Sequence, residues 1–314
     1  MLLVTGGAGF IGRHYLEFHE IHHPEEEILC IDALTYAADA KFIEQWQLAP
    51  HHHFIKARIE DGPRMKEIFS TYPITRIVNF AAESHVDRSL ENSAPFVRTN
   101  VDGVQVLLQL AKEHQVIRYH QVSTDEVYGE MPADPSIQAT ETFPLKPRNP
   151  YAATKAAADL LTLSYYEAYG LNVTISRGTN TYGPYQHKEK FIPRAIANLL
   201  SGNPVPIYGD GLQIRDWIYA VDHAAGIDCI LRYGTSGEIY NLGSHQEKTN
   251  LNVVKEILSH FQMPVDGSTI SHVTDRQGHD RRYALSTEKI EKELSWKPKF
   301  TWEDTFPLTC NSYK

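Results

Sequence analysis

Two adjacent acids, Asp125 and Glu126, and a tyrosine–lysine pair, Tyr151 and Lys155, are the side chains best suited to move protons. Tyr151 and Lys155 stand four residues apart, so on a helix they project from one face. A free phenol ionises near pH ~10, and a neighbouring ammonium or the positive ring of a nicotinamide favours the phenolate. In that setting tyrosine can accept a hydroxyl proton near neutral pH. The preceding Asn149-Pro150 has the chemistry of a helix start, and Gly170 suits the stop. A Tyr-x-x-x-Lys spacing is frequent by itself, and an adjacent acid pair is most often a solvated loop. Both gain meaning from what surrounds them.

The second cluster opens the chain. Leu2-Leu3-Val4-Thr5 runs into Gly6-Gly7-Ala8-Gly9-Phe10-Ile11-Gly12. Glycines at these spacings permit a tight strand-to-helix turn and close approach of the backbone to a pyrophosphate at a helix N-terminus. A second apolar run ends in Asp32, twenty residues past Gly12, where an acid can bind ribose hydroxyls of a dinucleotide. A carboxylate there repels a 2′-phosphate, which favours NAD over NADP.

These residues need elements to position them. Leu2–Thr5, Ile28–Ile31, Phe54–Lys56, Ile77–Phe80, Tyr119–Val122 and Val173–Ser176 read as strands, with helical spacing between them, notably over Val97–His114 and Pro150–Tyr169. Regular alternation predicts an α/β fold, a Rossmann-type doubly wound parallel sheet. In such sheets ligands sit at the C-terminal ends of strands, where Tyr119–Val122 would deliver Thr124, Asp125 and Glu126. After about residue 180 the alternation loosens into a smaller C-terminal substrate-binding lobe, with a helix over Ile192–Leu200, a turn at Gly209–Gly211, a strand near Glu238–Leu242 and a helix near Asn252–Phe261. The expected division is 1–178 with about 216–243 for the cofactor, and 179–215 with 244–314 for the substrate.

Composition narrows the class. The 314 residues carry a formal charge of −9, with no basic patch, which argues against a nucleic-acid partner. No apolar run reaches membrane-spanning length, and the N-terminus has no secretory pattern. Cys30, Cys229 and Cys310 are far apart and suit a reducing cytoplasm. Among 16 histidines, His22-His23 read as a polar turn and His51-His52-His53 as a loop, both solvated, and no ligand-spaced set predicts a metal.

Together these residues resemble the extended short-chain dehydrogenase/reductases. Ser123-Thr124-Asp125-Glu126-Val127-Tyr128-Gly129 narrows the resemblance to the nucleotide-sugar 4,6-dehydratases. It is carried further by Leu34-Thr35-Tyr36-Ala37, Ala81-Ala82-Glu83-Ser84-His85-Val86-Asp87, Tyr182-Gly183-Pro184-Tyr185-Gln186, Arg215-Asp216-Trp217 and Asp275–Tyr283. The resemblance implies oxidation at C4 of a hexose, loss of water across C5 and C6, and return of the hydride to C6. It implies Asp125 as the acid at the C6 oxygen and Glu126 as the base at C5, with Thr124, Tyr151 and Lys155 completing the catalytic set. Two acids so used must be driven to opposite protonation states. The related 4-epimerases carry small hydroxyl residues where Asp125 and Glu126 stand, and the decarboxylases usually keep only the glutamate. A cofactor-binding regulator without turnover is disfavoured by the presence of all five catalytic residues.

The resemblance also implies contacts to NAD from Gly6, Gly9, Phe10, Ile11, Gly12, Asp32, Thr35, Ile59, Ala81, Ala82, Tyr151 and Lys155. For the substrate it implies Ser84, His85, Asn180, Lys190, Tyr208, Arg215, Asn250 and His279. A guanidinium such as Arg215 can grip phosphate oxygens with two donors. The implied substrate is a nucleoside-diphosphate hexose, first dTDP-glucose, with UDP-, CDP- or N-acetylated sugars as alternatives. A homodimer through the helices at Val97–His114 and Pro150–Tyr169 is implied as well. The sequence departs from the family pattern at Ala57-Arg58-Ile59, where an acid is usual at the position of Arg58, and at Thr181.

Overall fold

Strand β1 (Leu2–Thr5) is buried along its length and divides two cores: Leu2 and Val4 enter one, Leu3 the other. β2 (Ile28–Asp32) repeats the pattern, with Ile28 and Cys30 on one side and Leu29 and Ile31 on the other. Strands apolar on both faces need cover on both, and each buried Leu or Ile contributes roughly 1.5–3 kcal/mol. The computed structural model, which describes residues 1–314, supplies that cover with helices.

After α1 (Phe10–His22) and β2 come α2 (Ala40–Trp46), β3 (His52–Lys56), α3 (Gly62–Thr71), β4 (Arg76–Asn79), α4 (Val86–Glu91), α5 (Ala94–Val97), α6 (Val104–Glu113) and β5 (Arg118–Thr124). α7 (Pro150–Tyr169), β6 (Val173–Gly178), β7 (Asn180–Tyr182), α8 (Phe191–Leu200), β8 (Val205–Tyr208), β9 (Ile214–Tyr219) and α9 (Ala220–Tyr233) follow. The chain ends with β10 (Ile239–Leu242), β11 (Glu247–Thr249), α10 (Asn250–His260), β12 (Ile270–Val273), α11 (Glu288–Leu294) and α12 (Trp302–Asn311).

Seven strands form one all-parallel sheet in the order β10-β6-β5-β4-β1-β2-β3. α1, α2 and α9 pack on one face, and α3, α6 and α7 on the other. This is the Rossmann-type arrangement expected from the alternation. The remaining strands form two small sheets, β11-β9-β7 and β12-β8. With α8, α10 and α12 they enclose a separate core containing Tyr182, Trp217 and Trp302.

Three sequence expectations change. Val97–His114 is not one regular helix: a π-helical turn over Arg98–Gly103 separates α5 from α6. Asn100 in that turn is buried and accepts a hydrogen bond from the Glu83 amide at 2.9 Å while donating to the Glu83 carbonyl at 3.0 Å and to Thr154 Oγ1 at 2.9 Å. The turn thereby ties the loop after β4 to α7. His52 and His53 lie in β3 rather than in a loop, and His52 is buried, stacked on Trp46 at 4.1 Å and close to the Trp46 carbonyl. His22 is the last residue of α1, and His23 just beyond it lies 3.1 Å from Asp228 instead of facing only solvent.

The long stretch between Tyr128 and Pro150 holds no helix or strand. Arg282, 1% exposed, fastens it. Its guanidinium donates to the carbonyls of Pro132, Asp134 and Ile137 at 3.1, 3.1 and 2.8 Å, and to both carboxylate oxygens of Glu247 in β11.

Candidate active site

The turn from β1 into α1 is shaped by glycine. A Cβ on Gly12 would lie 2.3 Å from the Gly6 carbonyl oxygen, and one on Gly6 would lie 2.6 Å from the Ala81 amide nitrogen. Gly6 also has φ of +72°, a conformation open chiefly to glycine. α1 then begins with no side-chain cap, so its first amides are free to meet an anion. Asp32, at the end of β2, is buried and accepts from the amides of Ala8 at 3.0 Å and Leu34 at 2.7 Å. Each carboxylate oxygen keeps a second lone pair for a ribose hydroxyl. Burial pushes the Asp32 carboxyl up, and the two amides pull it back. These features fit the adenosine and pyrophosphate portions of a dinucleotide.

β5 is longer than its apolar run suggested and carries Thr124 as its last residue. Asp125 and Glu126 follow in a 3-10 turn, where Thr124 Oγ1 accepts from the Glu126 amide at 3.3 Å and donates to Asp125 Oδ1 at 3.2 Å. The two neighbours meet different surroundings. Asp125 is 3% exposed, and its Oδ2 has no hydrogen-bond partner. Burial first, and the Glu126 charge second, push its carboxyl up to about 8. Glu126 is only partly buried and receives a hydrogen bond from Asn149 Nδ2 at 3.1 Å. At neutral pH Asp125 therefore holds its proton beside a hydrogen-bonded glutamate.

Asn149 also caps α7, accepting from the Ala152 amide at 2.8 Å, with Pro150 in the first turn and Gly170 left-handed at the far end. Tyr151 and Lys155 both project from α7 into the cleft. Lys155 donates to the Val122 carbonyl at 2.6 Å. Burial lowers its ammonium to about 8, opposed by Asp159 one turn further along. Asp159 is itself fully buried and paired with Arg177 at 2.9 Å. Burial and the charges of Glu126 and Asp125 raise the Tyr151 phenol, and Thr124 partly offsets them. The chain by itself thus keeps Tyr151 protonated.

Two cavities adjoin here. The larger, about 330 Å³, runs from the glycine turn past Asp32 and Arg58 to Asp125 and Tyr151. The smaller, about 160 Å³, is lined by His85, Tyr208, Arg215, Asn250 and His279. Ser84, Glu126, Asn180 and Lys190 face both. Every residue singled out from the sequence for catalysis, cofactor or substrate lines one cavity or the other.

Arg215, 6% exposed, donates to the carbonyls of Ile214 at 2.7 Å and Asp280 at 2.9 Å and lies 4.2 Å over the Tyr283 ring. Lys190 donates to the Ser84 carbonyl at 2.8 Å. His279 is close to Asp275 at 2.6 Å; burial and the Arg276 guanidinium push it down to about 4. Thr181 bonds His223 at 2.7 Å, so this departure from the family pattern faces a buried histidine.

Sequence reasoning missed several residues of the smaller cavity: Arg276, which pairs with Asp87 at 3.2 Å, Glu189, which pairs with Arg88 at 2.5 Å, and Arg194. Arg276 was within reach, since it lies in the same run as His279. Glu189 and Arg194 carry no spacing signal. Arg58 stands at the rim of the larger cavity beside Glu60, 3.3 Å away.

The model of the GDP-mannose 4,6 dehydratase family matches residues 3–308. The low-salt glycan biosynthesis protein Agl12 of Haloferax volcanii is 44% identical over 99% of this chain and 98% of its own. The dTDP-glucose 4,6-dehydratase of Mycobacterium tuberculosis is 41% identical over 100% of this chain and 93% of its own. Among solved structures, DesIV, the dTDP-glucose 4,6-dehydratase of Streptomyces venezuelae with NAD and TYD bound, superposes with a TM-score of 0.94. It is 42% identical, over 99% of this chain and 96% of that one.

Proposed function

The chain belongs to the nucleotide-sugar 4,6-dehydratases of the extended short-chain dehydrogenase/reductase family, and on that premise we propose that it converts dTDP-glucose to dTDP-4-keto-6-deoxyglucose. The observation that carries the chemistry is the pair of unlike acids: buried Asp125, pushed up to about 8, beside the hydrogen-bonded Glu126.

Bound NAD supplies a positive charge near the site, accepts the hydride from C4 and gives it back at C6. Gly6, Gly9, Phe10, Ile11, Gly12, Asp32, Thr35, Ile59, Ala81 and Ala82 line the cavity that would hold it, with Lys155 at the inner end. Tyr151 takes the C4 hydroxyl proton, which requires its phenol to be drawn down from the raised value that burial and the acids impose. The resulting C4 ketone acidifies the C5 hydrogen. Glu126, oriented by Asn149, removes that proton. Asp125 donates its proton to the departing C6 oxygen, which leaves as water, and when the hydride returns to C6 the C5 carbon takes back a proton, which Glu126 holds. Thr124 holds both acids in place through its hydroxyl. Arg215, Lys190, Asn250 and His279, with Tyr208 beside His279, face the cavity suited to the diphosphate and base, and Ser84, His85 and Asn180 are the residues offered to the sugar.

The reading extends to architecture. Residues 1–178 with about 216–243 serve the cofactor, and 179–215 with 244–314 serve the nucleotide sugar. Val97, Leu160 and Tyr169 are exposed within Val97–His114 and Pro150–Tyr169, which supports a homodimer through these two stretches. No helix is long and apolar enough to cross a membrane, and three free cysteines support a cytoplasmic setting.

The test is a panel of nucleotide-glucoses offered to the NAD-loaded protein, with the product followed by mass. Loss of one water from dTDP-glucose is the expected result. Epimerisation, or loss of water from a UDP- or CDP-sugar alone, would replace this reading.

A further inference from the structure

The segment between β7 and α8, residues 183–190, forms no helix or strand, yet Gln186 and His187 line the larger cavity and Lys190 lines both. It opens with a turn, Gly183-Pro184-Tyr185-Gln186. Proline suits the second place of such a turn, and a left-handed third place usually falls to glycine. Here Tyr185 holds it, with φ of +67°. A turn closes most simply when its fourth amide donates to its first carbonyl. The Gln186 amide and the Gly183 carbonyl do not bond each other. The hydroxyl of Tyr313 stands between them. It accepts from the Gln186 amide at 2.8 Å and donates to the Gly183 carbonyl at 2.9 Å. One oxygen thus satisfies both ends of an open turn. Burial raises the Tyr313 phenol, which the Gln186 amide offsets only in part, so the donated proton is in place at neutral pH.

Tyr313 follows α12 and packs against the separate core that contains Tyr182, Trp217 and Trp302. The other holds on the turn come from the cofactor half. His14 Nε2 lies 3.1 Å from the Pro184 carbonyl, and the Arg13 guanidinium covers the Tyr185 ring at 3.4 Å. Both belong to α1, the helix whose first amides are free to meet an anion. The Gln186 side chain donates to the Thr181 carbonyl at 2.9 Å, and His187 stands edge-on to Tyr36, just past Asp32, at 5.7 Å. The turn is therefore clamped between α1 and Tyr313, and the residues that follow it form part of the cavity wall.

We propose that Tyr313 is a positioning residue for the cofactor: its hydroxyl holds the Gly183–Gln186 turn closed, and the turn holds Gln186 and His187 against bound NAD. The inference rests on the reading that the larger cavity takes NAD. Tyr313 itself lines neither cavity and takes no part in proton transfer. Without its hydroxyl, a left-handed tyrosine and two unpaired peptide groups all favour relaxation of the turn. Gln186 and His187 would move with it. Tyr313 also lies beyond the stretch that the family model matches, so retention of the dinucleotide depends here on a side chain outside the dinucleotide motif.

The test is the rate at which the loaded protein gives up NAD, followed by fluorescence after mixing with an excess of etheno-NAD. Tyr313→Phe keeps the ring and removes the hydroxyl; release should become roughly three- to tenfold faster, the scale of one neutral hydrogen bond. Thr309→Val is the control. That hydroxyl donates to the Thr305 carbonyl at 2.9 Å within α12, one turn before Tyr313. The control should release NAD at the wild-type rate even with a lowered melting temperature. Wild-type release by Tyr313→Phe overturns the proposal. Equal acceleration in both variants overturns it too, because Tyr313 would then only prop α12. In a second readout, Tyr313→Phe diluted without added NAD should lose activity faster than the wild type, and excess NAD should restore it. A loss that excess NAD leaves unrestored also overturns the proposal. If the wild type binds no NAD at all, the reading of the larger cavity falls first and the proposal with it.

Discussion

At the cofactor end of the cleft the walls are mostly main chain and small side chains. The glycine turn, the strand ends and Ala81–Ala82 set its shape, and Asp32 is pinned there by two amides. At the other end the walls are charged side chains held in pairs: Arg276 with Asp87, Arg88 with Glu189, His279 with Asp275. The first wall is stiff because close-packed backbone cannot shift without disturbing the sheet. The second consists of long side chains whose partners can be exchanged one at a time. On the proposed reading, such an arrangement lets nucleotide preference vary while the redox machinery stays fixed.

The sharpest way to break this division is at the acids where the two cavities meet. Glu126→Gln should lower turnover by roughly 10²–10⁴-fold and stop exchange of the C5 hydrogen with deuterated solvent, seen by NMR. Exchange at the wild-type rate would take the base role from Glu126. Asp125→Asn should keep that exchange while losing water elimination to a similar extent. In the unaltered protein the protonated Asp125 is the active form, so the rate should hold below the value of about 8 and fall about tenfold per pH unit above it.

Gly12→Ala tests the stiff wall. The new Cβ would meet a carbonyl oxygen at 2.3 Å, and overpacking of this kind costs roughly 1–3 kcal/mol. The purified variant should retain several- to a hundredfold less NAD, measured by chromatography of the released nucleotide. Arg215→Lys tests the adjustable wall: it should raise KM for the nucleotide sugar roughly tenfold, the scale of one charge-assisted hydrogen bond, and lower kcat far less. The reverse pattern would place Arg215 away from the phosphates. The smallest effect is expected at Asp32→Ala, a several-fold relaxation of the preference for NAD over NADP, read from binding constants. An unchanged preference would remove Asp32 from cofactor selection.

The same contrast explains what could be read in the sequence. The glycine turn, Asp32, Tyr151 and Lys155 are set by local spacing, and spacing is visible in one chain. Helix α7 was legible down to its cap because Asn149, Pro150 and Gly170 act within a few residues. The π-helical turn at Arg98–Gly103 was not, because its cause is distant: Asn100 bonds Glu83 and Thr154, and a Cβ on Gly103 would strike Ile59. His52 was misplaced for a like reason, since only the fold brings Trp46 against it. Of the residues lining the smaller cavity, His85, Lys190, Arg215 and Asn250 were singled out through family resemblance alone, and Glu189 and Arg194 were passed over. What sets Asp125 apart from Glu126, burial without a partner for one oxygen, is likewise a property of packing.

Arg282 has a bearing on how the molecule comes apart. The segment from Tyr128 to Pro150 has no regular structure of its own, yet one guanidinium gathers its carbonyls and ties them to β11. A peptide stretch so tethered resists digestion for as long as the tether holds. With Arg282→Met, a broad-specificity protease should nick the chain first between Met131 and Pro147, at a protease dose that leaves the wild type whole. The cut would leave the two cores of the large sheet and the smaller separate core folded while loosening the segment that leads to Asn149, the partner of Glu126.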